Sequence, residues 1–220
     1  MPPALATDLR SVTALAERDL DPLWELDDEE LLAAMYDVLP AVIEQWALAS
    51  AAVAAEWYDA ERERLEVPGR FQAIVDPLES LGTEALIGWA VQPLPGDTPN
   101  AEQAKYRLVG GVQKRLANSA NFTITGSSVA DPQSRGWMRR TRPAACSFCL
   151  MIASRGAVYT EQTARFASHE RCYCSAAPVW NNRALPVEPY KPSEITAQLS
   201  DKQRKELNRS AREWIAANLT

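Results

Sequence analysis

The chain has 220 residues and a mass of 24.3 kDa, the size of one ordinary domain or of one domain with a helical arm, and too short for several. Apolar residues make up 46% and charged residues 24%, and there are seven tryptophans, a balance that argues for a folded chain and against disorder. The net charge of −6 hides an acidic front, 16 Asp+Glu against 4 Lys+Arg over residues 1–66, and a basic rear, 13 against 19 over residues 67–220, so the two parts present different surfaces.

Near the start, Leu5, Leu9, Val12 and Leu15 recur at helical spacing and predict a first short helix, with a turn at Asp21-Pro22. The opening residues carry no basic segment ahead of an apolar one, so no signal peptide is expected. Asp27-Asp28-Glu29-Glu30 reads as a helix start, because acidic groups favour the positive end of the helix dipole. From there to Glu66 the apolar residues Leu31, Leu32, Met35, Tyr36, Leu39, Val42, Ile43, Trp46, Ala49, Val53, Ala54 and Trp57 step mostly by three and four. Pro40 interrupts the pattern at a cost of about 3 kcal/mol, so the expectation is either a kinked helix or two stacked helices, about 28–39 and 41–65. The most apolar stretch, Trp46 to Ala55, is ten residues with Ser50 inside it. A bilayer needs about 20, so no membrane contact is expected.

Val67-Pro68-Gly69 ends this segment, and a third helix is predicted near 76–90. The loop Gln92 to Pro99 leads to a fourth over Asn100 to Ser119, weakened in its middle by Gly110-Gly111. Phe122-Thr123-Ile124-Thr125, closed by Gly126, is a short strand candidate. Past Asp131 the chain turns basic, with Arg135, Arg139, Arg140, Arg142, Arg155, Arg165 and Arg171. A proline-spaced stretch with Pro186, Pro189 and Pro192 follows, and a last helix begins near Ser200, capped by Ser200 or Asp201. The fold class expected is mainly α. It comprises a helical domain over 1–130, a small irregular α+β knuckle over 131–180, and an extended linker with a C-terminal helix over 181–220.

All four cysteines and the one histidine fall between Cys146 and Cys174. Cys146-Ser-Phe-Cys149 is a C-x2-C turn, and His169-Glu-Arg-Cys172-Tyr-Cys174 follows 20 residues later. Such spacing suits one tetrahedral ion about 2.3 Å from each sulfur, and thiolate and imidazole donors of this softness suit zinc. Five donors compete for four places. Cys146, Cys149, His169 and Cys172 are the first choice, with Cys174 as substitute or in place of His169. Four protein ligands leave no position for water, so such a zinc is structural. The alternatives are buried thiols, or two disulfides in an oxidising setting. A catalytic thiol would have to take His169 as its base.

The stretch Gly136-Trp-Met-Arg139, then Cys146 to Tyr159 with its Ala-Ser-Arg-Gly-Ala-Val-Tyr bridge, then His169 to Cys174 resembles the C-terminal signature of MuF-like minor capsid proteins. These are head-morphogenesis proteins of tailed bacteriophages, and the likeness is to those of phages infecting actinobacteria. The specific part covers residues 136–178; the helical half resembles the family more loosely. The resemblance implies a virion protein inside the capsid near the portal, acting in assembly or DNA delivery, with the portal protein and the major capsid protein as partners and a metal in the cysteine-histidine signature. Some relatives act as maturation proteases. A serine protease here would need His169, or Ser127 or Ser128 with a lysine base, and neither a Gly-x-Ser-x-Gly elbow nor a zincin motif occurs. Arg135, Arg139, Arg140, Arg142, Arg155 and Arg165 are the residues placed to contact packaged DNA, nonspecifically, by neutralising phosphates. Their plainer role is a solvated surface, or pairing with the acidic front. A stand-alone zinc-knuckle nucleic-acid-binding protein is the competing function.

Overall fold

The computed structural model describes residues 3–76, 80–95, 99–141, 145, 147–157, 159, 166, 168–171 and 174–180, and, near the end, 200–203, 205–206, 209 and 213. Four helices dominate: α1 (Pro3–Leu20), α2 (Asp28–Arg64), α3 (Thr83–Ala90) and α4 (Ala101–Ala130). A 3-10 turn over Asp21–Glu25, started by Pro22, joins α1 to α2. A two-stranded antiparallel sheet, β1 (Trp137–Arg140) with β2 (Ser175–Pro178), follows, with the short helix α5 (Ser147–Ala153) between its strands. The chain is mainly α, as its periodicity predicts.

Pro40 neither splits nor ends α2, which runs unbroken for 37 residues. Asp27 caps it by accepting the Glu30 amide at 2.9 Å. Pro40 itself is exposed, while Leu31, Met35, Leu39, Ile43, Ala47, Ala51, Ala54 and Tyr58 form a buried row against α1 and α4. That row carries the helix past the lost hydrogen bond. Counted across the isolated polar residues that break up its apolar runs, α2 is also the one described helix long and apolar enough to cross a membrane, with a mean hydropathy of 1.5 in its most apolar window. Only 39% of that window is buried. The buried part is the core of the helical bundle.

The strand expected at Phe122 to Thr125 is not formed; those residues lie inside α4. Their β-branched preference is overridden because Leu116, Ala120 and Ile124, four apart, are all at most 1% exposed and pack on α2 and on the sheet segment. The expected third helix is shorter than 76–90 and starts only after Gly82, which takes a left-handed φ of 58°. Residues 70–76 run as an extended strap along α4. The Ala73 amide donates to Asp59 of α2 at 2.8 Å and the Ile74 amide to Ser127 Oγ at 3.0 Å. Thr123 Oγ1 accepts the Asp76 amide and donates to the Asp76 carbonyl, at 3.4 and 3.2 Å. Further along, the Arg115 guanidinium donates to the carbonyls of Leu81 and Gly82. The spacing explains the fit, because four helical residues rise about 6.0 Å and two extended residues span about 6.6 Å.

Two apolar clusters fill the interior. The first joins α1, the front half of α2, α3 and the front half of α4. The second joins Leu5, Trp57, Tyr58, Ala120 and Ile124 of the helices to Trp137, Cys149, Phe166, Cys174 and Trp180 of the sheet segment. The boundary expected at 130/131 thus coincides with the end of α4, while packing continues across it. Asp131 ties the corner. Its Oδ2 accepts from Trp180 Nε1 at 2.9 Å, Arg62 Nε at 3.0 Å and the Tyr58 hydroxyl at 3.2 Å, and its Oδ1 accepts the Gln133 amide at 3.0 Å. Burial alone would raise the pKa of this carboxyl, but the Gln133 amide, the Trp180 indole and Arg62 outweigh it and hold it below its ordinary 3.8. Burial, and then the Asp131 charge, push the Tyr58 hydroxyl far up, so it stays a neutral donor. Beyond the linker, Ser200 and Gln203 form a reciprocal capping box, with the Ser200 amide on Gln203 Oε1 at 2.9 Å and the Gln203 amide on Ser200 Oγ at 3.4 Å. The residues 181–199 of the expected linker, and most of the expected last helix, lie outside the described residues.

Two outcomes follow for stability. A β-carbon at Gly111 would sit 2.1 Å from Leu86 Cδ1, a side chain buried between α3 and α4. Gly111→Ala gains about 1 kcal/mol of helix propensity but overpacks the core by about 1–3 kcal/mol. A net loss of thermal stability is expected, and the same substitution made in a Leu86→Ala background, itself about 2–5 kcal/mol less stable, should cost nothing further. For Asp131, the folded pKa lies below the unfolded one, so its contribution is complete above the ordinary carboxylate value and is lost as pH falls towards the depressed one. Urea midpoints should decline below about pH 4. The share of the decline owed to this group should be absent in Asp131→Asn, which starts less stable.

Candidate metal centre

The sheet pairs Trp137 with Pro178, Met138 with Ala177, Arg139 with Ala176 and Arg140 with Ser175. Tyr159 adds a further rung, its carbonyl accepting the Trp137 amide at 2.8 Å, and its ring stacks on Trp137 with centroids 4.3 Å apart. α4 holds β2 from below through Asn121, whose Oδ1 accepts the Ala176 amide at 2.7 Å and whose Nδ2 donates to the carbonyls of Ala117 and Cys174, at 2.8 and 3.4 Å.

On this platform α5 presents Cys149, which is 1% exposed. Its Sγ lies 3.7 Å from His169 Nε2. The other ring nitrogen, Nδ1, lies 2.8 Å from the Glu170 carbonyl. A carbonyl only accepts, so Nδ1 carries the hydrogen, and in the neutral ring Nε2 turns its lone pair towards Cys149. A sulfur about 2.3 Å and an imidazole nitrogen about 2.0–2.1 Å from one tetrahedral zinc lie about 3.6 Å apart. The observed separation matches that edge. Arg139 Nη1 also reaches Cys149 Sγ, at 3.8 Å, and places a positive charge beside the sulfur.

The loop carrying His169 is fixed to α4 residue by residue. The Ser168 amide donates to Asn118 Oδ1 at 3.3 Å. Glu170 packs over Gly110, where an added β-carbon would lie 3.4 Å from the Glu170 Cβ, and pairs with Lys114 at 3.9 Å. Arg171 takes a left-handed φ of 59°, donates to the Tyr106 carbonyl at 3.1 Å and lies 3.6 Å over the Tyr106 ring. None of these α4 residues was picked out as functional by the cysteine-histidine spacing. Their signal was indirect: Asn118, Asn121 and Gly110 sit in the middle of a long helix that their own propensities weaken.

Of the five expected ligands, Cys149 and His169 are brought side by side, while Cys146 and Cys172 lie outside the described residues. Cys174 is buried beneath β2. Among the described residues no group of three His, Cys, Asp or Glu side chains gathers around one point.

Of the six arginines expected at DNA, Arg135 and Arg155 are exposed and Arg140 is half-buried, while Arg142 and Arg165 lie outside the described residues. Arg139 is the correction to that set. It is 3% exposed and stacks 3.7 Å over Phe166, so its guanidinium serves the core and Cys149 rather than a phosphate. Ser127 and Ser128 are buried in α4, their hydroxyls bonded to the strap and to the Ile124 carbonyl, so neither opens on solvent. Removing the Asn121 side chain tests the platform. Asn121→Ala strands the buried Ala176 amide, and a loss of about 1–3 kcal/mol is expected in urea unfolding.

A family model described as VG15 protein matches residues 3–202. No curated protein and no solved structure matches the chain. With nearly its whole length inside that match, the chain belongs to the VG15 protein family, a family of bacteriophage virion-gene proteins.

Proposed function

We propose that the protein is a structural, non-enzymatic minor component of a phage head, of the MuF-like type, placed inside the capsid near the portal. In this reading the helical half docks on the portal protein or on the inner face of the major capsid protein. A structural zinc locks the segment that follows α4. Cys149 and His169 are two of its ligands, Cys146 and Cys172 supply the others by their spacing, and Cys174 is the reserve donor. The observation that carries the metal is the 3.7 Å pair of Cys149 Sγ and His169 Nε2, with the ring fixed through Nδ1. The bound ion would contribute a cross-link between the turn that starts α5 and the loop pinned on α4. The chain's own residues do the rest: Glu170 orients the ring, Arg139 balances charge on the sulfur, and Asn118, Tyr106 and Lys114 hold the loop against the helical half.

A second reading adds nonspecific contact with packaged DNA through the exposed Arg135 and Arg155, on the same basic segment.

Metal analysis of the purified chain should give one zinc per molecule. Cys149→Ser and His169→Ala should each bring bound zinc close to background. Full-length protein without zinc would overturn the metal. In sedimentation with purified portal rings the chain should travel with the rings, and a chain that stays at the top with both rings and capsid protein would overturn the docking.

A further inference from the structure

His169 and Cys172 stand three positions apart in the sequence, so both meet one ion only where the chain between them turns. It turns at Glu170 and Arg171. The turn puts Arg171 in the left-handed region, at a φ of 59°. A side chain crowds its own backbone there, and such turns ordinarily use glycine. The other left-handed non-glycine residue among those described, Glu66, has a local reason. It closes α2, with the Val67 amide returning to the Arg62 carbonyl. Arg171 has no such reason, because residues 168–170 ahead of it are not helical.

A contact outside the turn therefore holds this backbone in place. Arg171 Nη2 donates to the Tyr106 carbonyl at 3.1 Å, and the guanidinium lies 3.6 Å over the Tyr106 ring. The neighbouring contacts do less for this residue. Lys114 and Glu170 are 3.9 Å apart with both side chains well exposed, where an ion pair holds little. Asn118 fixes Ser168, on the other side of His169. Tyr106 itself is 60% exposed and belongs to neither apolar cluster, so the fold of the helices does not depend on its ring.

We infer that Tyr106 of α4 is a positioning residue of the metal centre. By clamping Arg171 it holds the turn that an H-x2-C donor pair needs, and so sets how tightly zinc is bound. This deepens the zinc reading above and rests on it.

The test measures zinc affinity of the full chain by competition with a chromogenic chelator. Tyr106→Ala removes the ring and leaves the carbonyl, and should bind zinc about two- to fivefold more weakly. Tyr106→Phe keeps the ring and should match the wild type. Arg171→Ala loses both contacts and keeps a β-carbon, and should bind about tenfold more weakly. Arg171→Gly, to which the left-handed turn is open, should regain about threefold of that loss. Far-UV circular dichroism should be the same in all four variants. Equal affinity in the wild type and Tyr106→Ala, equal loss in Tyr106→Phe and Tyr106→Ala, or Arg171→Gly no tighter than Arg171→Ala overturns the clamp and leaves the zinc standing. A wild-type chain that takes up no zinc takes down both.

Discussion

The corner at Asp131 is the constraint from which the rest of the architecture takes its geometry. One buried carboxylate receives the indole of Trp180, the guanidinium of Arg62 and the hydroxyl of Tyr58. Those donors come from the end of the sheet segment and from the last turns of α2, and the carboxylate itself closes α4. Arg62 extends the reach by donating to the carbonyls of Pro68 and Gly69, so it also fixes the exit of α2. A charge this deeply buried is tolerable only while every partner stays in place. The position of the cysteine-bearing segment relative to the helices is therefore set here, by an ordinary ion pair and three neutral donors, independently of any ion at the cysteines.

α4 is the second organiser. It is a core helix, a platform for β2, and an anchor for the loop that carries His169. These tasks need different residues on successive turns. Gly110 and Gly111 allow close approach to Glu170 on one side and Leu86 on the other. Asn118 and Asn121 lend side chains to backbone groups of the sheet segment. The helix gives up intrinsic propensity in its middle and recovers stability through contacts that only the folded state makes.

Much of the helical half was legible from the residues, because burial on one face forces a period of three to four and no neighbouring segment needs to be known. The run from Leu31 to Trp57 and the acidic helix start at Asp27 are local signals of that kind. Where the reading failed, a distant partner decided. Thr123 and Ile124 read as strand until the strap and the second apolar cluster are known, and Pro40 reads as a break until the buried row on its far side is counted. At the site, spacing alone paired Cys149 with His169 as donors for one ion. It gave no hint that Arg139 turns inward, because a basic run looks the same whether its members face solvent or lie on Phe166.

The strap over residues 70–76 has a consequence for how this chain can drift over generations. Asp59, Thr123 and Ser127 grip its peptide groups and not its side chains, and Ile74 and Val75 point largely outward at 48% and 45% exposure. Replacements at Ile74 and Val75 therefore leave the attachment intact, whereas Phe71 and Ala73 pack on the second apolar cluster and the hydroxyls on α4 have no substitute. A length change there is another matter: dropping one residue would shift the commensurate fit by half a step and leave each hydroxyl facing the wrong peptide group. The strap is thus free in composition at its outward positions and fixed in count.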